Sequence, residues 1–185
     1  MKKRVLVLLA DGFEEIEAIT SIDILRRAGL NVVVAGVGKV LVKGSHDISV
    51  KADVEVGSYN RSPDAIVIPG GMPGALNLSA SKKVNSLIVK AHKEGKVIAA
   101  ICAAPGFVLA PAGILKGRKA TCYPGCEDML EDKAQFVDEK VVVDGNIITS
   151  KGPGTAFDFA LKLVEVLVGK TAKEAVRKKM LYELR

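Results

Sequence analysis

Two hydrophobic rhythms alternate along this chain. Residues 5–9 (VLVLL) form an unbroken apolar run of the kind found in strands buried on both faces of a parallel sheet. Residues 16–28 then switch to a helical period. Ile16, Ile19, Ile22, Ile24 and Leu25 supply its apolar face, and Gly29 supplies a C-cap. Residues 31–35 predict the next strand, and 40–56 carry short alternating patterns that predict a hairpin or edge segment. Residues 64–68 predict a strand running into Pro69-Gly70-Gly71-Met72-Pro73-Gly74. A helix over 82–94 stops at Gly95, and 97–101 predict a strand ending at Cys102. Two strands over 140–143 and 146–149 flank Asp144-Gly145, a strong two-residue hairpin signal. Amphipathic helices over 153–168 and 171–184 close the chain.

Strand and helix in this order imply an α/β fold: a doubly wound, mostly parallel sheet with helices on both faces. No repeat, low-complexity linker or shift of composition divides residues 1–185, so a single domain is expected. In such sheets the ligand site lies outside the carboxyl ends of the strands, where the winding reverses.

Composition narrows the function classes. Hydrophobic residues make up 49% and charged residues 26%, an ordinary globular mixture, and no apolar run is long enough to span a bilayer. The basic start, Met1-Lys2-Lys3-Arg4, leads into a run too short for a signal h-region, so a cytoplasmic protein is expected. The net charge of +6 comes from dispersed lysines. Its densest cluster, residues 170–179, reads as a solvated helix face, and aromatics are only 4%. Neither nucleic acid nor membrane is therefore expected as a partner. Three cysteines, Cys102, Cys122 and Cys126, argue against a disulfide scaffold, and the two histidines lie far from them in sequence, so no metal is expected. Rival motifs fail. A Walker loop ending at Gly169-Lys170-Thr171 has Val164 where glycine is needed, Gly36-Val37-Gly38 lacks a third glycine, and no G-x-S-x-G occurs.

Three segments fall at predicted strand ends: residues 11–18, Pro69-Gly70-Gly71, and Cys102-Ala103-Ala104-Pro105. The last places a thiol between a strand and a helix start, an arrangement like a nucleophile elbow that favours the thiolate.

These segments carry a family likeness. Residues 9–17, Arg26-Arg27-Ala28-Gly29, 67–71, 99–105 and Thr149-Ser150-Lys151-Gly152-Pro153-Gly154-Thr155 appear in family order, and together the chain closely resembles the ThiJ/PfpI superfamily, on the side of the Parkinson-disease-associated deglycase and its bacterial relatives. The resemblance implies a flavodoxin-like homodimer that needs no cofactor. It implies Cys102 as the reactive cysteine, Glu17 as the carboxyl beside it, and the backbone N–H groups of Gly71 and Ala103 as an oxyanion-binding pair. It places Arg27 near the interface and site, with Gly70 and Pro153 at the pocket. Two charges cannot share such a site cheaply, so the Glu17 pKa is expected to rise and that of Cys102 to fall.

Two positions depart from the pattern. Tyr123 stands where glyoxalase and deglycase members carry histidine; it is a poor base near neutral pH but a competent donor to an oxyanion. Ala103 stands where intracellular protease members place histidine, which demotes an intracellular peptidase or amidase. The resemblance thus implies a glyoxalase III-type or deglycase-like enzyme acting on small reactive aldehydes such as methylglyoxal, or on glycated adducts. The alternative is an oxidative-stress sensor or chaperone working through oxidation of Cys102.

Overall fold

A computed structural model describes residues 2–182. The apolar run becomes β1 (Arg4–Leu9), and Val5 to Leu9 are fully buried because strands flank it and helices cover the two faces of the sheet. Chain order then gives α1 (Glu15–Arg27), β2 (Asn31–Gly36), β3 (Leu41–Lys43), β4 (Ser49–Lys51), β5 (Val54–Glu55) and β6 (Ala65–Ile68). There follow α2 (Gly74–Ala80), α3 (Lys82–Lys93), β7 (Val97–Ile101), β8 (Lys119–Ala120), β9 (Gln135–Phe136), β10 (Val141–Asp144) and β11 (Ile147–Ser150). Two helices end the described chain, α4 (Ala156–Leu167) and α5 (Lys170–Lys179).

The central sheet has seven strands in the order β10-β11-β7-β6-β1-β2-β5. Every pairing is parallel except β10 with β11. Val7 pairs with Val34 on one side and Val67 on the other, so β1 is the centre from which the winding departs in both directions. Helices α1, α4 and α5 pack together, as do α2 and α3, and the sheet lies between these groups. This is the doubly wound single domain that the pattern predicts. Among the described residues no helix is long and apolar enough to cross a membrane.

Several expectations need correction. The buried side of α1 is built from Ala18, Ser21, Ile22, Ile24 and Leu25. At 100° per residue Ile16 and Ile19 fall on the opposite side, and they stand 54% and 43% exposed. The hairpin loop is Gly145-Asn146 rather than Asp144-Gly145. Asp144 remains in the ladder opposite Ile147, its carboxylate held by Lys119 N–H and the Arg118 guanidinium. The helix expected over 171–184 ends at Lys179, and Leu184 lies outside the described residues. The 40–56 segment does form a hairpin, β3 with β4, while β5 joins the main sheet. Short α2, β8 and β9 carry no clear period and were not anticipated.

Candidate active site

Four strand ends meet where the winding reverses: those of β1, β6, β7 and β11. Cys102 directly follows β7 with φ +65°, a left-handed conformation that costs a side chain on the order of 1 kcal/mol. The elbow holds because its peptide groups are tied down on both sides. The Cys102 N–H donates to Ser150 O at 2.9 Å, and the Cys102 carbonyl accepts from Tyr123 N–H at 2.9 Å. The following helix is a single wide turn over Pro105–Leu109.

Gly70 touches this elbow. A Cβ there would lie 2.7 Å from Cys102 Cβ and 2.9 Å from the Ala103 nitrogen, so no larger residue fits without displacing the thiol. The same glycine reaches the other way. Its carbonyl accepts from Glu14 N–H at 3.0 Å, and its N–H donates to Glu17 Oε2 at 2.7 Å. Gly71 follows with φ +85°, packed backbone to backbone against Gly12 and Glu14. The 69–71 turn thus fastens the start of α1 to the thiol.

Glu17 is fully buried. Its Oε1 makes no hydrogen bond of ordinary geometry, and the Cys102 thiol acts on this carboxyl directly. Burial pushes the Glu17 pKa up to about 7; the Gly70 N–H and the thiol oppose the rise, and the charge of Glu14 adds to it. For Cys102 the expectation of a lowered pKa is reversed. Burial first, then a charged Glu17, push the thiol up, against the pull of the Gly71 and Ala103 N–H groups. The two effects belong together. Once Glu17 takes up a proton its repulsion vanishes, which leaves burial opposed by the pull of the two N–H groups. The two groups therefore titrate as a coupled pair.

Tyr123 reaches the site chiefly through its backbone. Its ring is 47% exposed and lies against Gly152, whose Cβ would sit 3.0 Å from the ring. Pro153 begins the short turn after Gly152, beyond β11. Cys102, Glu17, Gly70, Gly71, Ala103, Tyr123 and the Pro153 turn are thus gathered at one end of the sheet. Arg27 is not. It lies ten residues beyond Glu17 on α1, a rise of about 15 Å. There it is half exposed and pairs with Asp23 at 2.6 Å.

Comparison with known proteins shows the family. The sequence pattern of the DJ-1/PfpI family matches residues 3–166. The chain belongs to the DJ-1/PfpI family. It is 44% identical to protein dj-1beta of Drosophila melanogaster over 184 residues, 98% of each chain. It is 40% identical over 169 residues to a Caenorhabditis elegans protein named glutathione-independent glyoxalase DJR-1.2, covering 91% of this chain and 90% of that one. Among solved structures, oxidized DJ-1 of Toxoplasma gondii superposes with a TM-score of 0.94 at 42% identity, over 98% of this chain and 100% of the other.

Beside this DJ-1/PfpI site lies a second cluster that the sequence did not disclose. Glu15, two residues before Glu17, is also buried, but it faces the β3–β4 hairpin. Its carboxylate accepts from His46 N–H at 2.7 Å, Ile48 N–H at 3.4 Å, Ser45 Oγ at 3.2 Å and His46 Nδ1 at 2.9 Å. Burial pushes this carboxyl up, yet the His46 ring and the backbone N–H groups outweigh it and bring it to about 2. The His46 pKa rises in turn, through its bond to Glu15 and the charge of Glu14. Glu14, Glu15 and His46 bring three ligand-type atoms within 4.8 Å, but the Glu15 oxygens are already committed to hairpin donors. The adjacency of Glu14, Glu15 and Glu17 at a strand end was the only available signal. Cys122 and Cys126 are free thiols; burial, then Cys126, pushes Cys122 up to about 12, and Cys122 is not among the groups that shift Cys102.

Proposed function

We propose that this chain is a cofactor-independent glyoxalase III-type enzyme, with deglycation of early thiol or amine adducts as the same chemistry on a larger substrate. The observation that carries the proposal is the fully buried Glu17 carboxyl, poised near pH 7, against a thiol on a left-handed elbow with two N–H donors. A group titrating near the working pH both gives and takes protons efficiently.

In the proposed reaction the Cys102 thiolate attacks the aldehyde carbon of methylglyoxal, forming a C–S bond. The oxygen that gains the electron pair is received by the Gly71 and Ala103 N–H groups and takes the proton of Glu17. The Glu17 carboxylate then removes the hydrogen from that same carbon, giving an enediol, and returns it to the neighbouring carbon. The product is a lactyl thioester on Cys102. Water cleaves the C–S bond, releasing lactate and restoring the thiol. No electron leaves the system, which is why no cofactor is required. Tyr123, at the exposed edge, donates a hydrogen bond to the substrate oxygen, and Pro153 shapes the opposite wall. The naming of a Caenorhabditis elegans relative as a glutathione-independent glyoxalase supports this reading.

Exposed Ile16 and Ile19 on α1, with Ile48 of the hairpin at 57% exposure, suit a homodimer. Arg27, absent from its own chain's site, is assigned to that interface, and the dimer to the cytoplasm. A second reading, a stress sensor or chaperone, draws on the slight accessibility of Cys102 and on the oxidized state named for the Toxoplasma gondii structure. A peptidase lacks support, because Ala103 leaves no imidazole directly after the thiol.

Purified protein supplied with methylglyoxal should form lactate, and Cys102→Ala should lower the rate at least ~1000-fold. Equal rates in the two proteins would sink the proposal. If wild type gives no lactate while peroxide adds two oxygens at Cys102 alone, the sensor reading replaces it.

A further inference from the structure

At the opposite end of the sheet from Cys102 lies a cavity of about 320 Å³ between the segment around Tyr59–Pro63 and α3. It sits by the amino ends of β6 and β7. Asp64, just before β6, accepts from Arg4 N–H at 2.8 Å and pairs with Lys96. The four residues of β6 separate this end from the Gly70 turn by about 13 Å. The cavity is therefore not a lobe of the active site.

Its lining is unbalanced in charge. Arg61, Lys83 and Lys90 face one carboxylate, Glu94, which is already engaged by Ser62 Oγ at 3.0 Å and approached by Lys90 at 3.9 Å. Among the described residues neither Arg61 nor Lys83 has an ion-pair partner. Leu87 adds an apolar wall, and Tyr59, only 5% exposed, adds an aromatic one. The Tyr59 hydroxyl is buried without a hydrogen-bond partner, and so is Arg4 Nε; the phenol feels the charges of both Arg4 and Arg61. A buried hydroxyl without a partner is destabilising, and native proteins seldom leave one unexplained. Two uncompensated cations, a concave wall half apolar, and an orphaned hydroxyl call for an anion with a compact apolar body. The volume matches the lower range of small-molecule sites.

We propose that this cavity is a second ligand site, which takes a small organic phosphate monoester through Arg61 and Lys83. The guanidinium of Arg61 engages phosphate oxygens in its planar fork, and Lys83 adds a point charge. The organic part lies along Leu87 and Tyr59. The site stands apart from the Cys102 chemistry and is independent of the glyoxalase proposal.

The test is titration of ¹⁵N-labelled full-length protein, followed by amide NMR shifts, with three probes: adenosine 5′-monophosphate, inorganic phosphate and adenosine. Saturable shifts centred on residues 59–62 and 83–91 are expected with the monophosphate. Phosphate should shift the same amides at least ~5-fold more weakly, and adenosine should not saturate. Arg61→Ala and Lys83→Ala, both surface changes, should each weaken monophosphate binding ~10-fold, while Cys102→Ala leaves it unchanged. Raising salt from 50 to 500 mM should also weaken it severalfold. No saturable shift at 10 mM monophosphate would overturn the proposal, as would saturation that survives both variants. Adenosine binding as tightly as the monophosphate would overturn the phosphate requirement.

Discussion

Glu15 and Glu17 stand two residues apart on the same helix, and both are buried, yet their carboxyls move in opposite directions. Glu15 falls to about 2 and Glu17 rises to about 7. Four donors converge on Glu15, one of them the His46 ring. Glu17 receives a single backbone N–H, and the Cys102 thiol acts on its carboxyl. Burial alone would raise both. The number of donors decides the outcome, so one carboxylate stays charged as an anchor for the hairpin while the other titrates near neutral pH. Helix geometry permits this because residues two apart point about 200° around the axis from each other, one toward β3–β4 and one toward the elbow.

Within this comparison the largest effect comes from removing the Glu17 carboxyl. Glu17→Gln keeps the shape and the Gly70 contact but holds no exchangeable proton near pH 7. Turnover of methylglyoxal should fall about 100- to 1000-fold, and the pH dependence near 7 should vanish from the rate profile. A residual limb near pH 7 in the variant would assign that titration to another group.

Stability against pH separates the two carboxyls more sharply. The Glu17 pKa is higher folded than unfolded, so its stabilising contribution is complete below about 4.5 and is lost as pH rises through about 7. That loss is about 3 kcal/mol for a shift of this size. Glu15 does the reverse. Its folded pKa is depressed, so its contribution is complete above about 4.5 and disappears as pH falls through about 2. Solvent around exposed His46 screens that interaction, which leaves on the order of 1 kcal/mol. Urea unfolding of wild type should therefore show stability rising from pH 2 to 4.5 and falling from 4.5 to 7. Glu17→Gln should flatten the second limb, and Glu15→Gln should make the first shallower, the rest of it belonging to Asp11, Asp144 and Glu165. Exchange of those assignments would break the comparison.

The smallest effect concerns the elbow itself. Cys102→Gly should be more stable than Cys102→Ala by about 1 kcal/mol, because glycine tolerates φ +65° and alanine does not. Thermal unfolding of the two inactive variants measures it, and a less stable glycine variant would mean the elbow is unstrained.

Legibility followed range of interaction. β1, β2, β6 and β7 are apolar runs whose burial on both faces suppresses alternation, so their period was unmistakable. The outer face of α1 is not legible in the sequence because Ile16 and Ile19 are as apolar as Ile22, and only packing decides which side faces the sheet. Cys102 and Glu17 emerged because strand ends and a family likeness pointed to the same residues. The role of Glu15 did not emerge, since its partners at 45–48 lie some thirty residues away and reach it only through the folded hairpin. The direction of the thiol shift failed for a similar reason: sequence announces a carboxyl and a thiol but not how much water the fold takes from them.

The bond from Tyr123 N–H to the Cys102 carbonyl has an evolutionary consequence. What position 123 gives the scaffold is its main chain, which every residue but proline supplies. Its side chain is thus an exchangeable part. Imidazole, phenol or a shorter group can be fitted at the mouth of the site while the main chain of Cys102 stays in register.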